Sequence, residues 1–155
     1  MSMTFDDAIA TLTAPGGAFA MHEIEVDGVR MPTFERTPRS LREGFAAART
    51  RPDGGFLVYE DERWTFGDVM RHVDALGSLL VETYGLKRGD RVAIAMRNYP
   101  EWVVAFAAIT SVGCVSVSLN AWWTEEEMGC GLVYCGASFV IVYESRAARC
   151  ARAAA

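Results

Sequence analysis

From residue 56 onward the apolar positions change period in an ordered way. Phe56-Leu57-Val58-Tyr59 is a short apolar run, Glu60-Asp61-Glu62 a polar turn and Arg63-Trp64 the return, which together predict a hairpin. Thr65 then stands where an N-cap belongs, with Asp68 three residues on. Phe66, Val69, Met70, Val73, Leu76, Gly77 and Leu80 recur at spacings of three and four, so a long helix presents one stripe to a core. Gly85 is placed to close that helix in a left-handed conformation, and Gly89-Asp90 makes the next turn.

Two further strand–helix alternations follow. Arg91 to Met96 reads as a strand. Asn98 with Glu101 forms a capping pair ahead of an apolar helix over Val103 to Val112, with Pro100 in its first turn, and Gly113 stops it. Val115 to Leu119 is the second strand. Thr124-Glu125-Glu126-Glu127 is a capping box whose carboxylates suit the positive end of a helix dipole. That helix runs to about Cys135 and Gly136, and Phe139 to Tyr143 is the third strand. Strands linked by helices through short connections pair in parallel with right-handed crossovers, and continuous apolar runs mark strands covered on both faces. The fold class expected is therefore α/β: a doubly wound parallel βαβαβ unit preceded by a hairpin and a long helix.

Either side of this block the pattern weakens. Residues 1–39 are expected to form an irregular arm with at most short elements, punctuated by Pro15-Gly16-Gly17, Pro32 and Pro38. Ser40-Leu41-Arg42-Glu43 is a capping box that opens a short helix through Arg49, ended by Pro52-Asp53-Gly54-Gly55. Residues 144–155 form an Ala/Arg-rich tail with a thin apolar stripe and no further strand. A three-strand unit ending this way leaves a strand edge without a partner, so the chain reads as cut off rather than finished.

Composition narrows the function. The chain has 155 residues, 51% of them hydrophobic, and a net charge of -5. Its basic residues are scattered among acids, which argues against nucleic acid and gives no attraction to an anionic membrane. Cys114, Cys130, Cys135 and Cys150 form no matched C-x-x-C pairs, and His22 and His72 lie far from the Cys130/Cys135 pair, so the thiols are expected to be structural or incidental. Residues 1–20 carry Asp6 and Asp7 and lack a signal-peptide pattern, which points to the cytoplasm. Trp102 to Leu119 has no charge and approaches the length of a membrane span. Its Thr110, Ser111, Gly113, Ser116 and Ser118, with period-two alternation in the second half, fit a buried helix and then a strand instead.

In open α/β sheets ligands sit beyond the carboxyl ends of the strands. The first such turn, Arg97-Asn98-Tyr99-Pro100, has no glycine, which excludes a dinucleotide fingerprint and a phosphate loop there. Asn98 is expected as a helix cap rather than a ligand. In the second turn, Asn120-Ala121-Trp122-Trp123-Thr124, one tryptophan is expected to plug a core edge and the other to lie on the surface. Glu125, Glu126 and Glu127 point in different directions on a helix and do not converge on a metal. His72 lies opposite the apolar stripe, a surface position. No catalytic, cofactor-binding or metal-ligating residue is assigned.

The order of segments resembles the adenylate-forming, AMP-binding superfamily, and within it acyl-CoA synthetases. Trp64-Thr65-Phe66-Gly67-Asp68-Val69 is similar to its first core motif, and Gly89-Asp90-Arg91-Val92-Ala93-Ile94 followed by Asn98-Tyr99-Pro100-Glu101-Trp102 to a second characteristic run. Ile109 to Val115 through Ser118-Leu119-Asn120 is similar to a further core motif, and Thr124 to Met128 and Gly136-Ala137-Ser138 continue the series. Leu119-Asn120-Ala121-Trp122-Trp123-Thr124 looks most like fatty-acid and related acyl-CoA ligases. The resemblance covers residues 40–143 and implies a partial AMP-binding domain, the N-terminal subdomain of such an enzyme.

The resemblance implies ATP, Mg and CoA as cofactors of the full-length family and a fatty or other carboxylic acid as substrate. The family's phosphate-binding loop and later Thr-Glu, Asp, Arg and Lys residues have no counterpart here, so no cofactor is expected to bind this chain alone. The resulting expectation is an N-terminal fragment of an acyl-CoA synthetase, inactive by itself, with the missing C-terminal half supplied in cis or in trans. The alternative is a stand-alone binding or interaction module on the same scaffold.

Overall fold

The computed structural model describes residues 3–153. The chain forms two compact units, one up to Arg39 and one from Ser40 onward.

The first unit is more regular than its sequence pattern implied. Helix α1 (Phe5–Thr13) opens on Thr4, whose side chain accepts from the Asp7 amide while the Asp7 carboxylate accepts from the Thr4 amide. Strands β1 (Met21–Val26) and β2 (Val29–Phe34) pair antiparallel. Asp27 and Gly28 link them with φ of 51° and 80°. Two successive left-handed residues give a turn whose twist matches the flanking strands, and Asp-Gly is the dipeptide that tolerates it. The irregular arm is thus a helix and a hairpin.

In the second unit, α2 (Leu41–Ala46) starts at Ser40, whose side chain accepts from the Glu43 amide, and continues through a 3₁₀ turn at Ala47–Thr50. Strands β3 (Gly55–Tyr59) and β4 (Glu62–Thr65) form the hairpin, and Thr65 and Asp68 cap α3 (Phe66–Ser78) reciprocally. This helix does not run straight to Gly85. It widens into a π-helical turn, Leu79–Thr83, before Gly85 turns the chain at φ 68° and the Leu86 amide bonds the Leu80 carbonyl at 3.0 Å. The wider turn leaves Leu80 fully buried.

Strands β5 (Arg91–Ala95), β6 (Val115–Ser118) and β7 (Phe139–Val142) form a parallel sheet in the order β6-β5-β7. They alternate with α4 (Pro100–Ser111), α5 (Glu125–Cys135) and α6 (Glu144–Ala153). This is the doubly wound parallel arrangement. Central β5 alternates cleanly. Val92 and Ile94 pack with Leu80, Leu86, Ala105 and Ile109 on one face, while Ala93 and Ala95 pack with Leu119, Met128 and Cys150 on the other. Helix α4 is apolar all round because it faces two partners. Ala105 and Ile109 meet the sheet, while Val104, Ala107 and Ala108 meet Val69, Met70 and Val73 of α3. The uncharged stretch Trp102 to Leu119 is therefore a buried helix, a turn and a strand, and no helix among the described residues is long and apolar enough to cross a membrane.

One local expectation is corrected. Asn98 is not a cap: Tyr99 is the N-cap of α4, with Pro100 at the first helical position and no side-chain cap bond. Proline holds the residue before it in extended geometry, so Tyr99 sits at φ -92°, ψ 161° and the boundary falls one residue later. The Ala/Arg-rich tail is helical, as its residue types favour. It forms α6, with Arg146 and Cys150 buried.

Hydrogen bonds from the capping threonines hold the Asp7, Asp68 and Glu127 carboxyls below their ordinary values of 3.8, 3.8 and 4.5. The hydrogen-bonded Arg49 guanidinium lowers Asp74 in the same sense. Groups lowered in the folded state contribute stability above their unfolded values and lose it as pH falls through the folded ones. Melting temperature is expected to stay level at neutral pH and to fall below the ordinary carboxylate range, with a shallower acid decline in Asp68→Asn. An equally steep decline in that variant would remove this origin. Thr65→Ala is expected to cost about 1 kcal/mol and Met128→Ala, at a fully buried site, about 2–5 kcal/mol, both measured by denaturant unfolding.

Candidate functional site

Helix α4, reached from β5, lies on the Val92/Ile94 face of the sheet, and α5 and α6, reached from β6 and β7, lie on the Ala93/Ala95 face. The connections diverge around the carboxyl end of β5, which is where an open α/β sheet leaves a crevice. A groove of about 480 Å³ lies there, between the loops that follow β5 and β6.

Its rim is aromatic. Trp122 is 70% exposed, and the Arg97 guanidinium lies 4.8 Å from the centre of its ring. That separation is a cation–π contact. The Trp122 amide donates to Asn120 Oδ1 at 2.9 Å, which fixes the loop's bend. Trp123 turns the other way, into the core beneath β5. Gly131 of α5 makes room for it: a Cβ at that position would lie 2.5 Å from the Trp123 ring. One ring in the core and one on the surface is the division expected from the sequence. On the far side Tyr59, Tyr99 and Tyr143 form an edge-to-face ladder with centroids 5.6 Å apart at each step. Burial pushes the Tyr59 hydroxyl up, with the Glu60 charge adding to it. Hydrogen bonds from Arg146 and then Ser145 pull Tyr143 down.

The remaining residues singled out in the sequence fall elsewhere. Asn98 is exposed at the groove's edge. Glu127 is the reciprocal cap of α5, Glu125 pairs with Arg152 at 2.9 Å, and Glu126 faces solvent. His72 is exposed against the Trp64 ring at 5.1 Å. All four cysteines are free. Cys114 and Cys150 are buried, and burial raises both thiols. Among the described residues no group of three His, Cys, Asp or Glu is placed to hold a metal. The groove lining contains no carboxylate. It therefore offers magnesium no carboxylate ligand and a triphosphate no glycine-rich loop.

Sequence reasoning passed over Arg97, Tyr99, Tyr59 and Tyr143. Arg97 and Tyr99 occupy the turn after β5, where a search for glycine and caps hid them. Tyr59 and Tyr143 are the last residues of apolar runs and read as core.

A family model described as "AMP-binding enzyme" matches residues 45–155. The chain is 34% identical over 105 residues to the long-chain-fatty-acid–CoA ligase of Salmonella typhimurium, covering 67% of this chain and 19% of that protein. It is 36% identical over 80 residues to the 2-succinylbenzoate–CoA ligase of Bacillus pumilus, covering 52% of this chain and 16% of that protein. The N-terminal subdomain of Klebsiella oxytoca NpsA, solved with 3-hydroxybenzoyl-AMSN, superposes with a TM-score of 0.63 at 26% identity, covering 66% of this chain and 26% of that one. A benzoate CoA ligase from Burkholderia xenovorans shares the fold with a TM-score of 0.69 at 20% identity, covering 76% and 24%. The chain thus spans less than one fifth of the length of these curated relatives.

Gly131→Ala sets a helix-propensity gain of about 1 kcal/mol against a clash with a rigid ring. The clash is expected to win, with a net loss of about 1–3 kcal/mol and altered Trp123 fluorescence. Unchanged stability and emission would contradict the close packing of Trp123 on α5.

Proposed function

The chain belongs to the AMP-binding enzyme family, and we propose that it is the N-terminal part of an ATP-dependent acyl-CoA synthetase. Such an enzyme joins a carboxylic acid to coenzyme A, converting ATP to AMP and pyrophosphate. A carboxylate is a poor electrophile. Transfer of AMP to one of its oxygens expels pyrophosphate and makes an acyl-adenylate. Attack by the thiol at the carbonyl carbon then expels AMP and leaves the thioester.

The observation that carries this reading is the family match over residues 45–155, laid on a parallel sheet whose groove opens at the strands' carboxyl ends. In this reading residues 40–143 build the first layer of the AMP-binding domain, and Arg97, Trp122 and the tyrosine ladder face the crevice where further polypeptide closes the site. The Leu119-Asn120-Ala121-Trp122-Trp123-Thr124 loop favours a fatty acid or related acid as substrate. Strands β6 and β7 each pair with β5 alone among the described residues, which suits a sheet continued by the missing part, in cis or in trans. The groove lacks the donor set for ATP and its metal, so the chain alone is inactive in this reading. Four free cysteines suit a reducing cytoplasm.

ATP–pyrophosphate exchange and the mass of the native product test the proposal together. The purified chain is expected to show no exchange with fatty or aryl acids, and the native product to exceed 17.0 kDa or to co-purify with a larger partner. Robust exchange by the chain alone would overturn the inactivity. A native product of this mass, without a partner and melting cooperatively, would favour the stand-alone module.

A further inference from the structure

Arg146 is the one buried charged side chain among the described residues, 8% exposed, and no carboxylate among them pairs with it. Its place in the first turn of α6 is locally unfavourable, because a helix N-terminus repels positive charge. Burying a guanidinium without a counter-ion adds a desolvation cost. Tertiary contacts must offset both. Arg146 Nε donates to the Tyr143 hydroxyl at 3.2 Å, and Nη1 donates to the Trp123 carbonyl at 2.9 Å. Arg149, one turn on, donates to the same carbonyl at 3.3 Å.

Neither acceptor lines the groove, but each is joined to a residue that does. The Trp123 peptide adjoins Trp122, which lies under Arg97. Tyr143 is the end of the ladder that runs through Tyr99 to Tyr59. We propose that Arg146 is a positioning residue that sets the spacing of the groove's two walls from α6 by holding the Trp123 carbonyl and the Tyr143 hydroxyl at once. A guanidinium suits the task because its fork presents donors at fixed angles, which an ammonium does not. The lowered Tyr143 hydroxyl agrees with a charged donor at that oxygen. The inference does not depend on acyl activation, so it stands or falls separately from the ligase reading.

The test is fluorine NMR of the full chain labelled with 5-fluorotryptophan, the resonances of Trp64, Trp102, Trp122 and Trp123 being assigned by single Trp→Phe changes. Arg146→Met is expected to shift or broaden Trp122 and Trp123 and to leave Trp64 in place. Arg149→Met is expected to give a smaller shift in the same two, because Arg146 still holds the carbonyl. Arg146→Lys keeps the charge but not the fork and is expected to fall between wild type and Arg146→Met; it decides the matter if Arg146→Met does not fold. A folded variant with a lower melting temperature but unmoved Trp122 and Trp123 resonances would overturn the proposal. Equal displacement of all four resonances would overturn it too, since that is the mark of a general loss of packing.

Discussion

A parallel strand has to be covered on both faces, and the rest of the larger unit follows from how β5 meets that demand. Its two sides differ in bulk. Val92 and Ile94 are large and meet Leu80, Ala105 and Ile109, while Ala93 and Ala95 are small and meet Met128 and Cys150. Small side chains let a helix layer approach closely, so the bulk on that face comes from the helices. The larger side chains of the other face fill the space left by Ala105 of α4. With β5 at the centre of the sheet, its own loop leads to one layer while the loops leaving β6 and β7 lead to the other, and a crevice opens at the carboxyl end.

Helix α4 shows the same constraint from the helix side. A helix between a sheet and a second helix has no solvent face to fill with charge, so its composition comes to look like that of a membrane span. Its alanines, Ala105, Ala107 and Ala108, let it sit close to both neighbours. The π-helical turn after α3 belongs to this packing. It leaves Leu80 in the same cluster as Val92 and Ile94, where a straight continuation offers only the regular helical spacing.

The groove is built from ring surfaces and one guanidinium rather than from a phosphate loop. In the reading proposed above, that chemistry serves as a wall of the site rather than its reacting centre, in line with a chain that spans less than a fifth of the related ligases. Stacked rings give rigid, weakly polar surfaces that shape a cavity. They do not polarise a phosphate.

The sequence by itself determined the elements, because their signals are local. The Thr65–Asp68 and Thr124–Glu127 capping boxes, Gly85, Gly113 and Gly136 at left-handed φ, and the switch from helical to strand periodicity all act within a few residues. They located the hairpin, the long helix and the parallel strands. Some local signals were passed over: Thr4 with Asp7 and the Asp27-Gly28 turn specify a helix and a hairpin in residues taken as irregular. Tertiary structure alone decided what depends on residues distant in the chain. Tyr59, Tyr99 and Tyr143 come from three separate segments, and Arg146 reaches a carbonyl 23 residues earlier in sequence. The thin apolar stripe of residues 144–153 did not show what the helix there packs against. Its stability comes from donors meeting acceptors across the fold, and neither propensity nor periodicity records such contacts.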